Sequence, residues 1–381
     1  MNTSSLSRKI EQELNKLTSR IKKPNILITG ITGVGKSSLV NTVFGKKIAE
    51  TGIGEPITAN LTKYTDADVP IVLYDTAGYE VDTDINPVSR EETFKFISGH
   101  GKGSPEDRVH FAWYVIDASG GRIVSVDIDM CRRFRENNIP FAVVLAKCDL
   151  VSRKDLNQLI SIVKKSIGNS AVFSVTNLNI PGNGYLELEN LINWSNEQLP
   201  KTIHLAFIKA QRVNLKLKRL KALAVVSGTS TLNFGIGFIP IPFSDAPLLL
   251  ASQGAMLASI IYIYETKELG ILKTALTTSF TALLGVTTAG TIMKYFPGIG
   301  TIAGGLVNGT VGSVITVAMG ITTVTICHKY YAETLEKGDS SIALDLERVS
   351  AEFSKLASNS FQTIKSSRWK YKKILNKELK K

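Results

Sequence analysis

Cysteine is scarce: three residues in 381, at Cys131, Cys148 and Cys327. None has metal-ligand spacing, and an odd number argues against a disulfide framework. A reducing, cytoplasmic setting is the expectation. The N-terminal stretch lacks the apolar core of a signal peptide. There is no clear repeat and no low-complexity segment. Acidic residues are outnumbered, 33 against 45 Lys and Arg, which leaves a net charge of +12. That excess points to an acidic partner: nucleic acid, an anionic membrane surface or a nucleotide. Acids are absent altogether from 201–221, and charge of either sign is absent from 222–244 and from 295–327. Such a length is too great for one ordinary core and predicts more than one domain.

What is present is organised around GITGVGKSS, Gly30 to Ser38. A short apolar run, Asn25–Thr29, precedes it and reads as a buried strand. Leu39, Val40, Val43 and Phe44 follow on one face of a helix. Gly30, Gly35, Lys36 and Ser37 satisfy the phosphate-loop spacing Gly-x4-Gly-Lys-Ser/Thr. Glycines let backbone N–H groups turn inward around phosphate oxygens. Thr32, Gly33, Val34 and Ser38 complete the loop. Lys36 is placed to reach the outer phosphates, and the Ser37 hydroxyl to ligate Mg²⁺. The helix N-terminus adds partial positive charge.

Two further motifs follow apolar runs. DTAG, Asp75 to Gly78, comes after IVLY. A carboxylate ending a strand beside a phosphate loop can hold Mg²⁺, and the Gly78 N–H can sense the terminal phosphate. AKCD, Ala146 to Asp149, comes after FAVVL. The Asp149 carboxylate can accept from N1 and the exocyclic amino group of guanine, a donor pair adenine lacks. The Lys147 stem can lie along the base.

In this order the three motifs resemble the GTP-binding domain of the translation-factor class of P-loop GTPases, Era-like in kind, over residues 25–198. The loop GITGVGKSSLVNTVFG is similar to septin-like, GIMAP-like and immunity-related GTPases, which share threonine at Thr32, more than to Ras. The resemblance implies GTP hydrolysis to GDP and phosphate with Mg²⁺ as cofactor. It implies a first-switch threonine ligating Mg²⁺, for which Thr58 is the best match and Thr62 the alternative. It also implies a guanine-touching loop, aligned with Ser174, Val175 and Thr176. The catalytic set is then Lys36, Thr58 and Gly78, and the metal set Ser37, Thr58 and Asp75. Two departures stand out. Ala146 replaces the usual Asn or Thr, removing one stabilising contact. Tyr79 replaces the water-orienting glutamine, so slow intrinsic hydrolysis is expected unless another residue, a partner or a second copy in a homodimer or oligomer assists. Glu80, Arg122 and His110 are candidates by position alone, and a structural role is the expectation for each.

The fold class expected is an α/β P-loop domain followed by an all-α helical-hairpin domain. The first has a mostly parallel six-stranded sheet with helices on both faces. Its strands are expected at 25–29, 61–65, 71–74, 111–116, 141–146 and 171–175. The boundaries expected are 1–24 for an amphipathic helix, 25–200 for the GTP-binding domain, 201–336 for the apolar helices and 337–381 for a charged helical tail. The first helix packs on a domain or partner, or lies on a membrane surface. Residues 99–108, glycine-rich, form an exposed connection or a second phosphate contact. Residues 201–221 read as a basic helix leading out of the first domain, and helices are expected near 205–238, 245–266, 269–295 and 299–336. The block PIPFSDAPLL resembles the uncharacterised helical domain that follows GTPase domains in many bacterial membrane-associated proteins, with Asp245 as a helix N-cap. Gly285, Ala289, Gly305, Gly309 and Ser313 offer close helix approach. Bilayer insertion and a tight bundle both fit this composition. The tail carries eight basic residues against one acid from Lys365 to Lys381, with Trp369, Tyr371, Ile374 and Leu375 between them. That suits an anionic lipid surface or a solvated helix. No RNA-binding module is visible, so a specific nucleic-acid partner is not expected.

Overall fold

The computed structural model describes the chain apart from residues 1–2, 46–47, 49–52, 59–60, 77–86, 102–103, 105–106, 169–170, 181–183, 229–245, 265–269, 286–308, 338–345 and 367–381. The chain divides into two compact units. One comprises residues 22–214, and the other comprises residues 1–21 together with 215–381.

The first unit is built on β1 (Asn25–Thr29), β2 (Ile53–Thr58), β3 (Leu61–Thr65), β4 (Val72–Thr76), β5 (Phe111–Asp117), β6 (Phe141–Ala146), β7 (Ala171–Ile180) and β8 (Gly184–Leu186). They form one sheet in the order β2-β3-β4-β1-β5-β6-β7-β8. The central five, β4 to β7, are parallel. β2, β3 and β8 add antiparallel edges. The six expected strands are present. The two that the sequence does not announce, β2 and β8, are edge strands. β2 carries Gly54 and Pro56, residues that strand propensity disfavours and that edges tolerate.

Helices α2 (Lys36–Phe44), α3 (Pro87–His100), α4 (Ser125–Glu136), α5 (Arg153–Ile167), α6 (Leu188–Glu197) and α7 (His204–Ala210) accompany the sheet. β5 is buried along almost its whole length, as a central parallel strand should be. One of its faces stacks Phe111 and Trp113 with Phe44 and Phe207. The other packs Ala112, Tyr114 and Ile116 with Met130 and Phe134. Each fully buried aromatic contributes about 1.5–3 kcal/mol of transfer free energy.

The second unit holds α1 (Thr3–Arg20), α8 (Leu215–Ser227), α9 (Ala246–Tyr264), α10 (Gly270–Gly285), α11 (Gly309–Lys337) and α12 (Leu346–Ser366). α1 packs on α9 and α10, so the amphipathic N-terminal helix joins this unit. α9 also packs on α8 and α11, and Met256 to Tyr264 are buried on all sides. An all-round apolar helix is what the middle of a bundle requires. No helix among the described residues is long and apolar enough to cross a membrane. Among the described residues, one close helix approach falls at Gly320, where a Cβ would stand 2.7 Å from Val226 and 3.1 Å from the Met256 sulfur. Ala289 and Gly305 lie outside the described residues, as do Asp245 and most of the basic tail.

The break between the units corrects the expected boundary at residue 200. Residues 201–221 are not one helix. α7 ends at Ala210, and a turn closed by two buried side chains follows. The Asn214 N–H donates to Gln211 Oε1 (2.8 Å), and Gln211 Nε2 donates to the Asn214 carbonyl (3.1 Å). Leu205, Phe207 and Ile208 are buried, which ties α7 to the first unit. Beyond the turn, Lys218 is fully buried. Its Nζ donates to the Ile263 carbonyl in the last turn of α9 (3.0 Å) and stands 4.5 Å from the Tyr331 ring centroid. A cation at a helix C-terminus satisfies a carbonyl and the dipole together. This basic residue is internal structure, not a surface for an acidic partner.

Candidate nucleotide site

The parallel register brings the motifs to one end of the sheet. Ile28 pairs with Asp75, Thr29 with Tyr114, and Asp117 with Ala146. The carboxyl ends of β1, β4 and β6 and the 174–176 stretch of β7 therefore share one end of the sheet, the end where ligands of open α/β sheets bind.

The phosphate loop owes its path to glycine. Gly30 has φ +146°, and a Cβ there would collide with the Val115 carbonyl. Gly33 and Gly35 also have positive φ, at 79° and 107°. Val34 is buried beneath the loop, while Thr32, Gly33, Ser37 and Ser38 are exposed. Gly35 caps α2 without a side-chain hydrogen bond, so the first N–H groups of α2 are left for an anion. Lys36 is buried, and its Nζ donates to the carbonyls of Gly30 (3.0 Å) and Ile31 (3.2 Å). Burial lowers its pKa, against the opposing charge of Asp75.

Asp75 is the counterpart. Burial pushes its carboxyl up to about 6, with Lys36 pulling the other way. Its Oδ1 is buried without a hydrogen-bond partner. An orphaned carboxylate oxygen is costly unless something binds it. A divalent cation is the chemistry that fits an oxygen donor beside a phosphate loop. Ser37, Thr58 and Asp75 are the residues that would hold Mg²⁺, which when bound neutralises charge on the outer phosphates. Next to it, Thr76 Oγ1 donates to Thr29 Oγ1 (2.9 Å), fastening β4 to β1. Thr58 ends β2 in the hairpin whose other arm pairs Leu61 with Thr76, so it stands at the same end of the sheet. Thr62, the alternative, pairs with Asp75 itself. Gly78, Tyr79 and Glu80 lie outside the described residues.

On the base side, Lys147 adopts a left-handed conformation (φ 58°, ψ 34°) and its Nζ donates to Asp117 Oδ2 at 2.5 Å. Asp149 is exposed, and its Oδ1 accepts from Thr176 Oγ1 (2.6 Å). Within the stretch 174–176, Thr176 is thus the residue that meets Asp149. Ser174 and Val175 are buried in β7, and the Ser174 N–H donates to Glu187 Oε2 (2.8 Å). Sequence reasoning missed Asp117 and the Asp149–Thr176 bond. The strand-end position of Asp117 was its one signal.

Other expectations are relocated. The His110 ring accepts from the Asn25 N–H at the opposite end of the sheet, far along β1 from the phosphate loop. The described part of 99–108 lies at that opposite end too: the Asn25 side chain donates to the carbonyls of Asp107 and Arg108. It is a connection, not a phosphate contact. Arg122 is exposed. The three cysteines are buried thiols.

Residues 25–147 match the family model for 50S ribosome-binding GTPase. The probable GTP-binding protein EngB of Aquifex aeolicus is 31% identical over 151 residues, covering 39% of this chain and 79% of the relative. That of Bdellovibrio bacteriovorus is 30% identical over 182 residues, covering 46% and 86%. The chain belongs to the EngB-like GTP-binding proteins. It is a GTPase. GTPase Era of Leuconostoc citreum is also similar, at 28% over 144 residues, covering 37% of this chain and 45% of the relative. Among solved structures, a probable GTP-binding protein engB is 18% identical and covers 46% of this chain and 98% of its own, with a TM-score of 0.34. The EngB-like kinship refines the septin-like and immunity-related resemblance drawn from the loop. It covers less than half of the chain.

Proposed function

We propose that this EngB-like GTPase is a switch whose bound guanine nucleotide acts on the segment leading into its helical unit. Gly30 to Ser38 cradle the phosphates, with Lys36 on the outer ones. Ser37, Thr58 and Asp75 hold Mg²⁺, and Gly78 senses the terminal phosphate. Asp149 takes the guanine edge, with Lys147 along its face and the 174–176 stretch beside it. Hydrolysis removes the terminal phosphate and releases the switch residues.

One observation carries the coupling. The Arg212 N–H donates to the Val43 carbonyl (2.7 Å), and its guanidinium lies where a Cβ on Gly45 would fall, 2.7 Å away. Val43 belongs to α2, which starts on the phosphate loop, and Arg212 lies three residues before α8. The far end of the phosphate-binding helix is thus hydrogen-bonded to the segment that continues into the helical unit. An anionic membrane surface is the partner proposed for that unit, through its basic tail.

Hydrogen exchange of the full chain, loaded with GDP or with a non-hydrolysable GTP analogue, tests the coupling. Protection of 204–227 should differ between the two states, and Arg212→Pro, which removes the backbone N–H as well as the guanidinium, should erase the difference while hydrolysis persists. Identical protection in both states would refute it.

A further inference from the structure

Asp117 belongs to none of the three nucleotide motifs, yet it touches the base-reading one. It ends β5 beside Ala146 in the ladder. Its Oδ2 accepts from Lys147 Nζ at 2.5 Å. Its Oδ1 accepts from the Ser119 N–H (2.9 Å) and from the Ser119 hydroxyl (2.5 Å). Burial works against the charge, but the hydrogen bonds from Lys147 and Ser119 hold the carboxyl below the usual carboxylate range. Asp117 is therefore a fixed anion, oriented by its own turn, with one oxygen committed to Lys147.

Lys147 needs such an anchor. A left-handed backbone is unfavourable for an L-residue, and such strain persists only where the surroundings over-determine it. The ordinary brace is missing. Ala146 is buried, with its methyl 3.7 Å from where a Cβ on Gly35 would lie, and it carries no polar atom to reach the phosphate loop. The base-reading turn is held instead from its two flanks, by Asp117 on Lys147 and by Thr176 on Asp149.

We infer that Asp117 is a positioning residue for the nucleotide base, holding Lys147 so that its stem lies along the guanine face in a loop that Ala146 leaves unbraced. The inference rests on the base site proposed above. Asp117 acts through Lys147 and has no part in phosphate chemistry, so it sets nucleotide affinity and leaves turnover alone. The ion pair is partly exposed, which moderates its strength.

Titration of the full chain with fluorescent GDP, together with steady-state GTP hydrolysis, decides the matter. Asp117→Asn should weaken GDP and GTP binding alike by about tenfold, the scale of one charge-assisted hydrogen bond moderated by exposure. The loss should fall on KM and not on kcat. Ser119→Ala should weaken binding less, in the same direction. In a Lys147→Ala background, Asp117→Asn should add nothing. Wild-type affinity in Asp117→Asn, an equal loss in the Lys147→Ala background, or a fall in kcat would each overturn the inference. Asp149→Asn separates it from the base site itself. If Asp149→Asn leaves GDP affinity intact, the base site is misplaced and both readings fall. If only Asp117→Asn is silent, the base site stands and the positioning role is gone.

Discussion

Asp75 is held in a place that disfavours its charge. The carboxyl titrates near 6 because it is buried, and its Oδ1 has no hydrogen-bond partner. A carboxyl whose pKa is raised by folding stabilises the folded state below the unfolded value. That contribution is lost as pH rises through the folded one. Between about pH 4 and 6 the protein without nucleotide or Mg²⁺ should therefore lose stability as Asp75 ionises. Asp75→Asn should remove the loss, leaving the variant about 1–3 kcal/mol more stable at pH 7.5 and equal at pH 4. Mg²⁺-dependent GTP hydrolysis should fall by at least about a hundredfold. Thermal melts across pH and a phosphate-release assay check both halves. Gly30, Gly35, Lys36 and Asp75 were legible in sequence because their chemistry fixes both residue type and spacing. The Asp149–Thr176 and Asp117–Lys147 bonds were not. They depend on which strands become neighbours and on one left-handed residue, neither of which leaves a spacing. His110 takes a structural contact, as position without a motif suggests: its ring accepts from the Asn25 N–H at the other end of β1.

The five parallel strands were readable as elements because each is a short apolar run ending in a turn or motif. The edges were not, since β2 has little apolar surface to bury and is defined by its partner β3. The segment 201–221 misleads for a different reason. Its periodic leucines and lysines read as one helix, but the Gln211 and Asn214 side chains take over the backbone hydrogen bonds at 211–214 and end it. The short helix before that break, α7, is a core element of the GTPase unit. Phe207 is fully buried and meets Phe44 and Phe111 edge-on, at 6.3 and 5.9 Å. Phe207→Ala should cost about 3–5 kcal/mol, the usual figure for a buried aromatic. Denaturant unfolding of the GTPase unit, followed by nucleotide fluorescence, measures it. Because Phe44 ends α2, the variant should also weaken GDP binding.

At the scale of the whole molecule, the boundary at Asn214 has a direct test. A fragment spanning 22–214 should fold and bind GDP as the full chain does. A fragment spanning 25–200 should not, since it discards α7 and exposes Phe44, Phe111 and Trp113. Circular dichroism and GDP titration of the two distinguish the boundaries. The helical unit was legible as apolar helices but not as a bundle: composition alone does not separate lipid from protein as the solvent of an uncharged helix. The burial of Met256 to Tyr264 by α1, α8 and α11 supplies the protein answer for α9. Flotation of the full chain on vesicles of anionic lipid should consequently be reversed by high salt, as expected of a basic tail on a charged surface. It should not resist an alkaline wash. Flotation that survives both treatments would restore an inserted anchor.

The packing of α1 on α9 and α10 also sets an order of events during synthesis. α1 leaves the ribosome well before its partners, which begin more than two hundred residues later. At about 5–20 residues per second that interval is roughly 10–45 s. The GTPase unit can close in the meantime, while Leu14, buried in the finished chain, still waits for α9. A newborn chain thus carries an amphipathic helix whose packing partners do not yet exist, and a chaperone has that interval in which to hold it.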